Sequence, residues 1–446
     1  MEYSVTDVAK KLKVSTRTIQ REIKRARLVA NRVGRKFVVS DVALERYLQK
    51  DSLELEEKIT KFCQTKKYDM VNYLQRLVSF PSESDNPEAQ QEFAKLLKST
   101  LENLGFRTVI YGEGEASTVH ATFGYAKKGL LLDCPIDTAA VGDPERWSYP
   151  PYDGIIKNGK MYGRGTADCK SGIVSMIYAA LALKEFVDEN KVRIELVFDG
   201  GEQNGKYHGM QHTMERGVDA EAGIIGYAGD INELAIGARG YHRYTIIVKG
   251  KSAHTGSRTS RGINAITKAA KLIEELENIN IGKSKHDLFW FGSRVTPAVI
   301  DGGTAINVVP DECEIKVDTR IPPDFGKKHV DAKLQEVIKK LKKVDPEFNA
   351  TVVYDGGNEG YGLKGNEKVI ETVLKAVQST ANIKPELVAN GMAHVGNLLY
   401  KHRIPTIVKG PVGGNVHTYD EYVTIDSLPQ CAEIYAKTVL YFFELC

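Results

Sequence analysis

No stretch of this chain approaches the roughly 18 to 20 consecutive apolar residues that a membrane-spanning helix requires. The first residues also lack a basic segment followed by an apolar one, the pattern of a secretory leader. A cytoplasmic protein without a membrane partner is therefore expected. Six cysteines (63, 134, 169, 313, 431 and 446) are scattered with no C-x-x-C pair, which argues against a disulfide framework and against a cysteine zinc finger. They are expected as reduced thiols. Internal repeats and low-complexity tracts are also missing.

What is present is a chain of 446 residues, 42% apolar and 27% charged, long enough for two to four domains. The net charge of +3 conceals an asymmetry: residues 1–50 hold 13 Lys and Arg against 5 Asp and Glu, a balance of +8, which leaves −5 for the rest. Between Lys10 and Lys36 there are 11 basic residues and one acid, more than solubility requires. A polyanion is expected to meet this head and not the body.

Within the head, Val5, Val8, Ala9 and Leu12, then Ile19 and Ile23, recur at helical spacing, with Val14 placed to plug the corner between two short helices. Ser15 is a good N-cap for the second helix, whose opposite face would present Thr16, Arg17, Gln20, Arg21 and Lys24. Such side chains reach phosphates and base edges. "NRVGRKFVV" alternates basic and apolar residues around Gly34, as a hairpin would, adding Arg35 and Lys36 to the DNA-contact candidates, and "SDVALERYL" reads as a closing capped helix. Through "VAKKLKVSTRTIQREIK" the head resembles the winged helix-turn-helix of excisionase and MerR-type regulators over about 48 residues.

The expected organisation is a DNA-binding head over residues 1–50 and a stiff helical linker over 51–68. An α/β body follows over 69–239 and 356–446, interrupted by an inserted domain over 240–355. The body alternates strand-like and helical runs. The insert follows a strand, helix, two strands, helix, strand order, the split βαβ pattern.

The motifs "PSES", "IDTAAVGDPERW", "YGRGTADCKSG", "GKSAHTGSRTSRGINAI", "GGTAINVVPDECEIKVDTR" and "GGNVHTYDEYV" make the body, from about 69 to 446, similar to the co-catalytic zinc amidohydrolases. That family includes acetylornithine deacetylase, succinyl-diaminopimelate desuccinylase, glutamate carboxypeptidase and aminoacylase. The resemblance implies a phosphorylase/hydrolase-like α/β metallopeptidase domain, with two zinc ions over the carboxyl ends of its strands. It also implies a ferredoxin-like lid that makes a homodimer.

Carried over position by position, the resemblance gives an incomplete site. Asp168 matches the carboxylate that bridges two metals, and Glu202 and His417 match the other ligands of one of them, a plausible three-ligand zinc set. Where the family reads G-H-x-D, this chain reads Cys134-Pro135-Ile136-Asp137, so a proline replaces a histidine ligand. The 33 residues from Pro135 to Asp168 match the family spacing. Asp137, which would orient that histidine, is retained. The general-base position falls on Gly201, which has no side chain to take a proton, and the second metal's carboxylate falls on Tyr227, with Asp230 as the alternative. Cys134 and Cys169 are candidates for replacement thiolates or for small buried hydrophobes. The resemblance thus implies one zinc at most.

Substrate-contact positions are kept. His254 matches a lid histidine that reaches the partner subunit's site, and Asn307 and Arg320 match groups that hold a substrate carboxylate. Two readings follow. One is a metabolite-sensing DNA-binding regulator whose degenerate body grips a small amide or amino-acid-like ligand such as an N-acyl amino acid or peptide. The alternative is a one-metal hydrolase of such molecules that finds its base elsewhere, at Asp230 or Asp137.

Overall fold

The computed structural model describes residues 2–34 and 36–446, without the side chains of Gln49, Lys50, Asp51 and Glu115. Arg35, among the DNA-contact candidates, lies outside the described residues.

The head comprises β1 (Glu2–Ser4), α1 (Val5–Lys11), α2 (Thr16–Lys24), β2 (Asn31–Val33), β3 (Lys36–Ser40) and α3 (Asp41–Thr65). Its three strands form one antiparallel sheet in the order β1-β3-β2. Ser4, Ser15 and Ser40 each cap the helix that follows, accepting from the backbone N–H three residues on. Val8, Ala9, Ile19, Leu28, Val39 and Leu44 make its core. Val14 does not plug the corner; it is 38% exposed, and Leu28 and Val39 join the core instead. The closing helix of the head and the linker helix are one: α3 runs unbroken for 25 residues.

The body begins with α4 (Lys67–Val78), α5 (Pro87–Asn103), β4 (Arg107–Tyr111), β5 (Thr118–Gly124), β6 (Gly129–Asp133), β7 (Ile155–Lys157), β8 (Lys160–Tyr162), α6 (Ser171–Phe186), β9 (Arg193–Phe198), α7 (His208–Glu215), β10 (Ala220–Ile225) and β11 (Glu233–Ala238). The insert holds β12 (Gly240–Lys249), α8 (Ala265–Glu277), β13 (Arg294–Gly302), β14 (Glu312–Ile321), α9 (Lys327–Val344) and β15 (Asn349–Asn358). The chain then returns to the body with β16 (Tyr361–Gly362), α10 (Lys368–Ala381), β17 (Glu386–Asn390), α11 (Val395–Lys401), β18 (Thr406–Val408), β19 (Gly413–Gly414), β20 (Tyr422–Thr424) and α12 (Ser427–Phe442).

The main sheet runs β16-β11-β18-β10-β6-β9-β5-β4, with β17 beside β11. Its centre, β18-β10-β6-β9, is parallel. These strands are covered on both faces, so they read as continuous apolar runs such as Leu130-Leu131-Leu132, each residue fully buried. Burying each such leucine stabilises the fold by roughly 1.5–3 kcal/mol. Helix α6 is buried almost all round between the sheet and α12, which explains its lack of a polar face. In the insert, strand order β13-β14-β12-β15 with α8 and α9 over the sheet is the ferredoxin-like arrangement.

Candidate active site

In an open parallel sheet, ligands meet the loops that leave the carboxyl ends of the strands. Here β6 runs into Cys134–Asp137, β9 into Asp199–Gln203, β10 into Gly226–Tyr227 and β18 into Lys409–Gly410. Backbone bonds tie these exits together: Ile136 N–H to Asp199 O (2.8 Å), Gly226 N–H to Asp133 O (2.9 Å) and Lys409 N–H to Ile225 O (3.0 Å). They open onto a cavity of about 380 Å³, whose walls include Asp168, Glu202, Gln203, Tyr227, Arg320 and His394.

Asp168 sits on a rigid base. The backbone N–H groups of Ala167 and Asp168 donate to Glu421 Oε1 (2.8 and 2.9 Å), and the other Glu421 oxygen pairs with buried Arg164 at 2.6 Å. Asp168 Oδ2 accepts from Gln203 Nε2 (3.0 Å) and pairs with His417 Nε2 (2.7 Å). Oδ1 is buried without a donor. The neighbouring carboxylate holds the His417 imidazole above its ordinary pKa.

The structure gives Asp137 a different partner from the missing histidine. Its carboxylate accepts the backbone N–H groups of Glu202 (3.1 Å) and Gln203 (2.9 Å), which fastens the turn after β9. Burial pushes Asp137 up to about 6, although these two bonds pull the other way. Gly201, in the same turn, has φ +76°, the left-handed region that a side chain disfavours. Glu202 is 8% exposed; burial first, then the charges of Asp168 and Asp137, raise its carboxyl well above the usual range. The Tyr227 hydroxyl faces Glu202, fully enclosed and without a hydrogen bond of ordinary geometry. The Pro135 carbonyl accepts from Cys169 Sγ at 3.7 Å, and Cys134 Sγ lies 3.7 Å from Met176 Sδ. Both thiols are buried, and burial raises Cys169, so they behave as small hydrophobes.

Sequence reasoning gave no role to several residues that shape the cavity. His394, 4% exposed, caps α11: its Nδ1 accepts Gly396 N–H at 3.1 Å. The proton therefore resides on Nε2, and that donor is buried without an acceptor. Its ring meets Tyr227 and Tyr361 edge-on, both with centroids 5.9 Å away. Lys409 donates Nζ to the carbonyls of Asp230, Ile231 and Glu233 (3.0, 2.8 and 2.8 Å), holding one wall. Asp230 itself turns its carboxylate to Asn232 N–H (2.8 Å) and is exposed. Arg243 and Arg320 each spend Nε on Asp318 (3.2 and 2.7 Å) beside the Tyr241 ring. The signal for His394 was its loop, "NGMAHVG", next to the family site; nothing flagged Gln203 or Lys409.

His254 and Asn307 do not line the cavity of their own chain. They lie together on exposed loops of the insert, joined through Thr255 N–H to Asn307 O (3.0 Å) and a bridge from His254 to Val308. In the head, Thr16, Arg17, Gln20, Arg21, Lys24 and Lys36 are all exposed. Glu22, the single acid of the basic stretch, is buried beneath Arg21, Arg25 and Arg27 at 3.7, 4.0 and 3.9 Å.

In this structure two of the residues carried over as metal ligands, Asp168 and His417, are engaged with one another. Among the described residues no three His, Cys, Asp or Glu side chains form a group that could hold a metal ion. The Gln203 amide also donates to the Asp168 oxygen that His417 meets.

Fold and site together define a two-domain α/β metallopeptidase scaffold behind a helix-turn-helix head. Residues 132–441 match the family described as Peptidase family M20/M25/M40, and residues 2–52 match Helix-turn-helix domain. The chain belongs to peptidase family M20/M25/M40. It is 25% identical to a succinyl-diaminopimelate desuccinylase of Rickettsia bellii, over 81% of this chain and 94% of that one. Aminopeptidase PepT of Bacillus cereus shares its fold with a TM-score of 0.69 at 23% identity, over 84% of this chain and 98% of the other. A Bacillus subtilis protein described as a dinuclear metal binding peptidase shares it with a TM-score of 0.64 at 15% identity, over 86% and 100%. Relatives on this fold thus include dinuclear metal proteins. Among the described residues no helix is long and apolar enough to cross a membrane.

Proposed function

We propose that this protein is a cytoplasmic DNA-binding regulator whose peptidase-like body senses a small amide or amino-acid-like molecule. One observation carries the reading: Asp168, at the position of the bridging carboxylate, is held by the Gln203 amide and the His417 imidazole. The missing base at Gly201 and the phenol of Tyr227 agree with it. Removing a general base lowers rate by typically a hundred- to ten-thousand-fold, and losing a metal removes several kcal/mol of charge stabilisation more. The cleft itself persists, with donors and acceptors around an enclosed volume.

The homodimer belongs to the same proposal. A two-fold pairing of lids would present two basic α2 helices at fixed separation to a palindromic site. His254 and Asn307, exposed on the lid, are then free to reach the partner subunit's cleft.

A second reading is a one-metal hydrolase, favoured by the unpartnered Asp168 Oδ1 near Glu202 and His417 and by the desuccinylase relative. One experiment separates them. DNA fragments selected on the purified full chain are titrated by fluorescence anisotropy across a salt series, with and without pooled N-acyl amino acids and dipeptides. The regulator predicts log affinity falling linearly with log salt and shifting with a pool. Binding that is nonspecific, or indifferent to every pool, removes it.

A further inference from the structure

A second hollow lies at the other end of the strands from the cleft. Helices α5 and α6 cover one face of β4, β5 and β9. On the opposite face α7, eight residues long, packs over the Thr118 end and leaves the remainder open. Sheet faces in such folds are normally covered, so the residues on this one show what it meets instead. Arg107 on β4 pairs in register with Thr122, and Arg193 on β9 with Gly124, so two arginines flank β5 from either side. The hollow they border measures about 690 Å³ and reaches Val109, Tyr111 and His120. Its base is built around Glu195, fully buried, which accepts from Arg193 Nε (2.6 Å), His120 Nε2 (2.8 Å) and Thr122 Oγ1 (3.0 Å). The enclosed carboxylate fixes the imidazole and the guanidinium, and leaves the terminal nitrogens of Arg193 without a partner among the described residues. Arg107, exposed, gives one amino group to Gly124 O (3.1 Å), lies over the Tyr125 ring at 4.5 Å and has no carboxylate partner among those residues. Arg216 lies over the Tyr111 ring at 5.7 Å. Three guanidinium groups thus gather around the hollow against one carboxylate, and that one lies beneath the surface. Asp188 and Glu189 border the adjoining hollow beyond Gly124, and Asp188 is held by Asn190.

We propose that this hollow is a second binding site, for a small phosphate ester. The phosphate takes hydrogen bonds from Arg107 and from the terminal nitrogens of Arg193, and the organic part lies along Val109 and Tyr111. The planar fork of arginine meets two phosphate oxygens at once, and the charge of a dianion matches the surplus left once Glu195 is paired. Gly124 keeps the floor between the two arginines bare: its φ is +86°, and a Cβ there would meet Val192 O at 2.1 Å. The anion therefore rests against backbone, with an arginine on each side. The site lies where β6 and β9 begin, at Gly129 and Arg193, and Asp168 lies beyond their far ends. It stands whether the body senses a ligand or hydrolyses one.

The test is isothermal titration calorimetry of the full-length protein in phosphate-free buffer with EDTA, at ionic strength held constant with potassium chloride. The probes are adenosine 5′-monophosphate, inorganic phosphate and adenosine. The monophosphate is expected to bind, inorganic phosphate to compete with it, and adenosine to give no heat of binding. Arg107→Gln and Arg193→Gln should each weaken the monophosphate at least about tenfold. Removing Arg193 also takes a partner from buried Glu195, whereas Arg107 is exposed and its loss spares the base of the site. A thermal melt of each variant separates lost binding from lost fold. No binding of the monophosphate, adenosine binding as tightly, or an affinity that survives both substitutions would overturn the proposal; in the last case the phosphate sits elsewhere on the chain.

Discussion

At Gly201 a left-handed backbone stands where the family resemblance expects a side chain. With φ +76°, this residue lets the turn after β9 bring two N–H groups to Asp137, and restoring a glutamate there meets strain of about 1–2 kcal/mol. Gly201→Glu is therefore expected to lower the melting temperature and to leave the protein without amidase turnover, as checked by calorimetry and a panel of acyl-amino acids. His394 makes a second residue-scale prediction. Burial drives its pKa from 6.5 down to about 3, so the unfolded chain takes up a proton that the folded chain refuses. The depressed group contributes stability that is present above pH 6.5 and lost as pH falls toward 3. Denaturation of His394→Asn across this window should show a shallower acid loss than the parent. Pro135 stood out only through the family resemblance, which expects a histidine at that position. Gln203 was not, because its reach to Asp168 depends on the left-handed turn two residues earlier.

Helix α3 is the element that joins DNA head to body. Ser40 caps it inside the head, and its far end is embedded in the body: Ile59 and Cys63 are fully buried, and Thr60 Oγ1 donates to Glu433 Oε1 on α12 at 2.8 Å. Ile59→Ala removes apolar volume from a packed site and is expected to cost about 2–5 kcal/mol in urea unfolding of the body. The residues over 51–68 are helix-prone and charged, yet nothing in their pattern marks continuity with the closing helix of the head. Nor does a turn signal mark a boundary between the two. The element order of the insert was readable in part because a strand such as β14 sets buried residues at every second position over Glu312–Ile321. The helix α11 cap by His394 escaped because histidine is an unusual N-cap and its loop lacks the Ser, Thr, Asp or Asn that marks one.

Across the whole molecule, charge and chemistry are divided between two ends. The +8 head keeps its one intervening acid buried, so the surface of α2 is uniformly basic, whereas the body gathers carboxyls around a cleft. Replacing Arg17 or Lys24 with alanine should weaken DNA binding and reduce the salt slope by about one for each phosphate no longer neutralised, measured by anisotropy. The family itself was legible from motifs spread along the body, because the loops that carry them sit at strand ends, where sequence and geometry are tightly linked. What those loops now do was less legible. A proline and a glycine at positions where the resemblance expects a histidine and a glutamate set expectations for the site, while contacts such as that of Gln203 with Asp168 come from positions with no fixed spacing.

The most direct measurement of the central claim is hydrolysis of acyl-amino acids and dipeptides by the purified full chain, with zinc, manganese or cobalt supplied at saturating concentration. The account predicts product no faster than the buffer blank under every metal. Turnover that depends on metal and vanishes in Asp168→Ala would contradict it, and the body would be a working hydrolase behind a DNA-binding head.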